Sequence, residues 1–261
     1  MKIEEQISRE IGVHGNQWDS MHEGYFADAV IAHPLIETIT QYLSGSNTDV
    51  IVDLGGGTGY ILLELIAKGL TANMIPVNLD CSVTQLDAMK KIGISCINGL
   101  ISEFSRNDLA TSDKRVFFIM RSVLHYFGKE GLIPVLRHIR HQTQTGEMFI
   151  HQTACFESEE EARCVNCLYR EMDTLKWYPT ISELRESMAI TNWQVIDICP
   201  APPLKLSSVE LGQRYGLDSQ TLTKISGRVM EEFGEIENVF QQGPDGFVAH
   251  LHYRICVTKA A

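Results

Sequence analysis

Between Val50 and Gly69 the chain changes character twice. Val50 to Leu54 is a short apolar run that reads as a buried strand. It breaks at Gly55, Gly56, Gly57 and Gly59. Ile61-Leu-Leu-Glu-Leu-Ile-Ala-Lys68 then reads as a helix that Gly69 ends. Glycines between a strand and a helix let the backbone turn sharply and let a ligand come close to the main chain. Such a turn predicts a nucleotide-like group at the edge of a parallel sheet.

The spacing narrows the choice. A dinucleotide fingerprint needs Gly-x-Gly-x-x-Gly, but its last position here is Tyr60, and Gly59 falls one place early. A phosphate loop needs a lysine directly after its last glycine, and none follows before Lys68. The run Asp53-Leu-Gly-Gly-Gly-Thr-Gly59 resembles motif I of the class I S-adenosylmethionine-dependent methyltransferases. The resemblance implies S-adenosyl-L-methionine as cofactor. It also implies an α/β, Rossmann-like fold with a seven-stranded, mostly parallel sheet and helices on both faces.

The rest of the chain is read against that fold. Strands are expected at 73–79, 94–97, 116–120, 146–152 and 193–198, with a last strand at 250–258. Helices are expected at 82–91, near Leu132 with Pro134 in the first turn, at 157–173 and at 181–189. Leu251, Tyr253, Ile255 and Val257 alternate on one side of the last strand. This predicts a core at 48–199 and 248–261, after a helical N-terminal cap at 1–47. Residues 200–247 are too many for a hairpin. They open on Pro200-Ala-Pro-Pro203 and continue with Leu222, Ile225, Val229, Met230 and Phe233 at helical spacing after Asp218. They read as a helical insertion, either a cap or lid over the active site or a dimerising helix pair, which leaves a homodimer open.

Composition removes several classes of function. A net charge of -11 without a basic stripe disfavours a nucleic-acid partner. No apolar run is long enough to span a bilayer, and the start of the chain lacks the basic and apolar regions of a signal peptide. Seven scattered cysteines then fit reduced thiols in the cytoplasm. Cys164-x-x-Cys167 has no second pair to complete a zinc site, so it reads as two small residues on one helix face, and no metal is expected.

The family resemblance assigns cofactor contacts by position. Asp53, Gly55, Gly56 and Gly57 form the loop. Asp80 ends the second strand where the family places the acid that accepts both ribose hydroxyls, and Cys81 follows it. A helix cap is the alternative use of Asp80. The family's acid after the third strand is replaced by Leu100, so main-chain groups at Leu100 and Ile101, or Glu103, would hold the adenine. The main chain at Arg121 would face the methionine end.

The methyl acceptor is a small molecule on this reading. Val123-Leu-His-Tyr-Phe127 resembles the Leu-His-Asp-Trp stretch of small-molecule O-methyltransferases and puts His125 at the position of the general base, with a pocket or capping histidine as the alternative. Trp18, Met21, His22 and Tyr25 recur at helical spacing, as either core or a wall over the cofactor. Trp18, His22, Tyr25, Tyr126 and His151 are the candidate acceptor contacts. Methyl transfer, at oxygen before nitrogen or carbon, is the expected activity. A non-methylating reaction such as cyclisation on the same fold is the alternative, and a non-enzymatic binding subunit is a third.

Overall fold

The computed structural model describes residues 21–90, 92 and 94–261. Five strands lie parallel: β1 (Val50–Leu54), β2 (Ile75–Asp80), β3 (Ser95–Asn98), β4 (Val116–Arg121) and β5 (Met148–Ala154). With β6 (Trp193–Pro200) and the final strand β10 (Tyr253–Ala260) they form a seven-stranded sheet in the order β3-β2-β1-β4-β5-β10-β6. β10 enters between β5 and β6 and runs antiparallel to both.

Alternation along these strands divides the core. Ile51, Phe117, Ile119 and Ile150 point to one face, where α1 (Ala29–Leu43) brings Leu35, Ile36 and Ile39, and α2 (Tyr60–Ala67) brings Ile61, Leu62 and Leu65. Val52, Phe118, Met120 and Phe149 point to the other face. There they meet Leu132, Leu136 and Ile139 of a helix at Gly128–His141, and Leu184 and Met188 of one at Ile181–Ile190. A parallel strand covered on both sides must be apolar on both sides, as β1 and β4 largely are. Each fully buried side chain of this kind contributes about 1.5–3 kcal/mol.

Side-chain caps explain where helices start. Asp28 Oδ1 accepts the Val30 amide at 2.7 Å and opens α1. Ser158 and Glu161 make a reciprocal capping box at the start of the helix Glu159–Glu171. The helix at Gly128–His141 begins earlier than the pattern around Leu132 predicts. Pro134 therefore sits beyond the first turn. The carbonyl that its missing N–H would serve belongs to exposed Glu130, where water can replace it.

The segment between β6 and β10 holds the expected helices, Ser208–Tyr215 and Ser219–Phe233, the second capped by Asp218. It also holds a three-stranded antiparallel sheet that the sequence pattern does not announce. Its strands are β7 (Leu204–Ser207), β8 (Phe240–Gly243) and β9 (Gly246–Leu251), in the order β7-β9-β8. The single last strand expected at 250–258 is thus two strands. Leu251 pairs with Leu204 in the small sheet, and Tyr253 pairs with Ala154 in the large one. Alternation runs through His252 unbroken, so nothing in the pattern marks the change of sheet. Leu206, Leu211, Val229, Phe240 and Phe247 of this segment share a core with Cys164, Val165 and Leu168 of Glu159–Glu171. Cys164 and Cys167 are buried thiols of that helix, and burial pushes the Cys164 thiol up to about 12.

His151 was expected to face the acceptor, and the fold places it elsewhere. It lies in β5 between β4 and β10, fully buried and stacked on Phe149 at 4.8 Å. Neither ring nitrogen has a hydrogen-bond partner, and burial lowers its pKa to about 3. The unfolded chain binds a proton at this residue below about pH 6.5, and the folded chain does not. Its contribution is fully present above that pH and is lost as the pH falls toward 3. Replacing His151 with methionine removes two orphaned nitrogens that cost about 1–3 kcal/mol each. His151→Met is expected to raise the melting temperature by several degrees. The gain should be larger at pH 4.5 than at pH 8 in thermal melts across pH.

Candidate functional site

Four strand ends and the start of α2 converge on one cleft, and its floor is the glycine loop. Gly59 adopts φ 73° as the residue that opens α2, and a Cβ there would lie 1.9 Å from Met89 Cε. Gly56 is required by proximity. A Cβ would come 2.5 Å from Asn78 Oδ1 and 2.6 Å from the Asp53 carboxyl. The end of β2 ties the loop down. Asp80 Oδ2 accepts the Gly57 amide at 2.9 Å, and Oδ1 accepts the Ser82 amide at 2.7 Å. The Asn78 side-chain amide donates to the Gly57 carbonyl at 2.9 Å, and the Gly55 amide donates to the Leu79 carbonyl at 2.7 Å.

Burial dominates the electrostatics of this floor. It raises Asp80 above the usual carboxylate range, against the backbone bonds that pull it down. Asp53 has almost no exposure, and burial followed by the nearby Asp80 raises it to about 7. Cys81 is held as a thiol, pushed up to about 11 by burial and then by Asp80.

The cleft is open on one side. Asp53, Gly55, Gly56, Gly57, Asp80, Cys81, Leu100, Ile101 and Arg121 all line it. So do residues to which the sequence assigned no contact: Phe26, Tyr60, Ser82, Gln85, Ser122 and Val123. Glu103 does not line it and is exposed.

Arg121 acts through its side chain as well as its position. Nη1 donates to the Phe26 carbonyl at 2.9 Å, and the guanidinium lies 5.3 Å from the Phe26 ring centre and 5.7 Å from that of Tyr25. This holds the 3₁₀ turn Met21–Ala27 against the sheet edge. Tyr25, expected to contact the acceptor, instead packs in the core. It stacks on Tyr253 at 5.8 Å, its hydroxyl donates to the Pro202 carbonyl at 2.5 Å, and it lines neither cavity of the site. Trp18, the other aromatic of that stripe, lies outside the described residues.

A second, much smaller chamber, with room for about one water, adjoins the cleft. Phe26, Ser122 and Tyr126 line both. His125 lines the chamber and not the cleft, on the 3₁₀ turn Leu124–Phe127 that follows β4. Its ring stacks on Tyr178 at 5.2 Å and leans on Tyr126 at 4.1 Å. His22 also lines the chamber. Its Nδ1 lies 2.5 Å from Glu210 Oε1, and Arg214 Nη1 lies 2.8 Å from its Nε2. A neutral ring protonated at Nδ1 satisfies both contacts, and burial lowers its pKa accordingly. Sequence reasoning found His22, His125 and Tyr126 but missed Lys176, Tyr178, Arg214 and Tyr253, which also line the chamber. Ser122 was missed too, although φ 61° makes it a rare conformation for serine, and its hydroxyl sits 2.5 Å from that of Tyr253.

No protein-family model matches the chain, and no curated protein matches it in sequence. Solved structures do match. YcgJ from Bacillus subtilis superposes with a TM-score of 0.63 at 11% identity, over 87% of this chain and 98% of that one. The 1,6-didemethyltoxoflavin-N1-methyltransferase of Burkholderia thailandensis, solved with its substrate and S-adenosylhomocysteine, gives 0.55 at 14% identity, over 98% and 88%. The [4+2]-cyclase SpnF gives 0.53 at 11% identity, over 88% and 80%. At such identities the likeness is one of fold. The fold is that of the class I S-adenosylmethionine-dependent methyltransferases.

The loop packing yields a direct test. Gly56→Ala drives a methyl group into Asn78 and Asp53, whose side chains are buried in paired strands and have no room to retreat. Overpacking of this kind costs about 1–3 kcal/mol. The urea midpoint is expected to fall correspondingly with an unchanged slope, and an unaltered midpoint would contradict the packing described.

Proposed function

We propose that this protein is a methyltransferase that binds S-adenosyl-L-methionine and methylates a small molecule at oxygen, with His125 as general base. One observation carries the reading. The loop residues, Asp80, Leu100, Ile101 and Arg121 surround one cleft, and that cleft adjoins a chamber holding a buried histidine.

In this reading Asp80 takes the ribose hydroxyls. Its oxygens already accept the Gly57 and Ser82 amides, but each carboxylate oxygen has a second lone pair to offer. The start of α2 favours the cofactor carboxylate through the helix dipole. Leu100 and Ile101 flank the adenine. Phe26 and Tyr126, which line both spaces, give a sulfonium the aromatic faces it is attracted to. Bound S-adenosyl-L-methionine would supply the methyl group to the acceptor oxygen in line with its carbon–sulfur bond, leaving as a neutral thioether, and the His125 ring would take the hydroxyl proton. Alignment and water exclusion supply most of what such a displacement needs. His125 is 5% exposed, which suits that demand.

The net charge of -11 favours a small acceptor over nucleic acid. No described helix is long and apolar enough to cross a membrane, and all seven cysteines are free thiols, which suits the cytoplasm. A second reading keeps the cofactor but not the transfer. The likeness to a [4+2]-cyclase favours it, with the bound sulfonium acting as a fixed positive charge.

Both readings require the cofactor. Asp80→Asn is expected to weaken S-adenosylhomocysteine binding at least tenfold by calorimetry. Wild-type affinity in that variant would remove Asp80 from the cofactor site. Labelled cofactor with a panel of phenols, acids and amines separates the two readings. Transfer of label supports the first, and binding without transfer on a converted substrate supports the second. With an acceptor in hand, His125→Gln should lower kcat about 10²–10⁴-fold while cofactor affinity holds. Turnover within a few-fold of wild type would end the base assignment.

A further inference from the structure

Asp53 is an unsatisfied polar group in the floor of the cleft. It is 1% exposed, and its Oδ1 is buried without a hydrogen-bond partner. Asn78, its register partner on β2, is also buried, and its Oδ1 is equally without a partner. The two side chains crowd one point. A Cβ on Gly56 would lie 2.5 Å from Asn78 Oδ1 and 2.6 Å from Asp53 Oδ2. The Asn78 amide nitrogen is committed to the Gly57 carbonyl, which fixes the other end of that amide as oxygen. Acceptor therefore lies beside acceptor, and a proton on Asp53 supplies the missing donor. Without it, a buried carboxylate would stand with no bond to offset its lost hydration.

The groups around Asp53 pull in both directions. Burial and then Asp80, at the end of β2, disfavour its ionisation. Arg121, at the end of β4, favours it, but the guanidinium donates to the Phe26 and Tyr25 carbonyls and not to Asp53. Cys81, beside Asp80, is a neutral thiol, and burial keeps Tyr60 of α2 a neutral phenol. The balance sets the titration of Asp53 at about 7. A group so placed responds to a small change of field. One positive charge about 8 Å away lowers the proton affinity of a carboxyl in a protein site by roughly tenfold or more. Asp53 lines the cleft, and the open side of the cleft gives its proton a way to water.

We propose that Asp53 distinguishes the charged methyl donor from its neutral product: it carries a proton in the free protein, releases it to water when a sulfonium enters the cleft, and takes one back when a thioether is left there. The inference rests on the cofactor reading above and adds to it how the site exchanges spent cofactor for fresh. The balance closes over a turnover, because the proton released on binding the donor is regained with the product. As a carboxylate, Asp53 faces the sulfonium with the opposite charge. As a neutral acid it offers the thioether no such attraction, so the product is held less tightly than the donor. Asp80 is less suited to this part, because the Gly57 and Ser82 amides favour its ionised form whatever the cleft contains.

Calorimetry reads the proton directly. S-adenosylmethionine and S-adenosylhomocysteine are each titrated into the full chain at pH 7, in two buffers of different ionisation enthalpy. The donor is expected to release more protons than the product, by about half a proton per site. Between pH 5.5 and pH 7, below the range in which an α-amino group titrates, the preference for donor over product should grow about fivefold. Asp53→Asn gives Asn78 Oδ1 an amide donor and cannot ionise. In that variant proton release should be the same for both ligands, and the preference should stay flat with pH. Equal release for the two ligands on the unaltered protein overturns the proposal, whether or not the variant folds. So does a difference that persists in Asp53→Asn. A chain that binds neither ligand removes the cofactor reading itself, and the inference with it.

Discussion

The Asp80 carboxylate joins two chain segments that would otherwise have no reason to meet. One oxygen takes the Gly57 amide and the other the Ser82 amide, so the glycine loop and the start of the next helix are fixed to the same group. The loop is mostly glycine, so main-chain contacts hold it: this one, the Gly57 carbonyl on the Asn78 side chain and the Gly55 amide on the Leu79 carbonyl. Bonds to a charged acceptor are about twice as strong as neutral ones, and this one is shielded from water. The width of the cleft follows from it, because the loop forms the floor on one side and Leu100 and Ile101 the wall on the other.

The neighbouring charges are arranged around that contact. Asp53 sits under the loop, and burial together with Asp80 pushes it toward neutrality at about 7. Two buried carboxylates this close favour keeping one proton between them, and Asp80, with its two amide donors, is the better placed to stay ionised. Arg121 lies on the opposite lip and spends its guanidinium on the Met21–Ala27 turn. The same side chain thus encloses the cleft and fixes Phe26, which is shared with the chamber.

Parts of this were legible in the sequence because they are local. The strand, the glycines and the helix occupy consecutive residues, and Asp80 follows one strand later. Period-two and helical spacing also located the central strands and most helices, because each buries an apolar face on a known repeat. The chamber was not legible for the opposite reason. His22, His125, Lys176 and Arg214 come from four separate segments, and only tertiary packing brings them together. Tyr25 and Trp18 formed one helical stripe in the sequence, yet Tyr25 turned inward to Tyr253 and Pro202, because a stripe of that period serves a core as readily as a cavity. The small sheet escaped notice because β9 and β10 alternate in phase across His252.

That joint at His252 bears on how the protein admits a ligand. The inserted segment leaves the large sheet at Pro200 and returns at Tyr253, and both connections are short. The departing chain is pinned where the Ala201 amide meets the Tyr253 carbonyl and where Pro202 meets Tyr25. The returning chain passes from one sheet into the other through a single residue. A door needs slack at its hinge, and this one has none. The inserted segment is a fixed wall of the chamber, and the 21–27 turn is fastened to it through His22, which meets Glu210 and Arg214, as well as to the large sheet through Arg121.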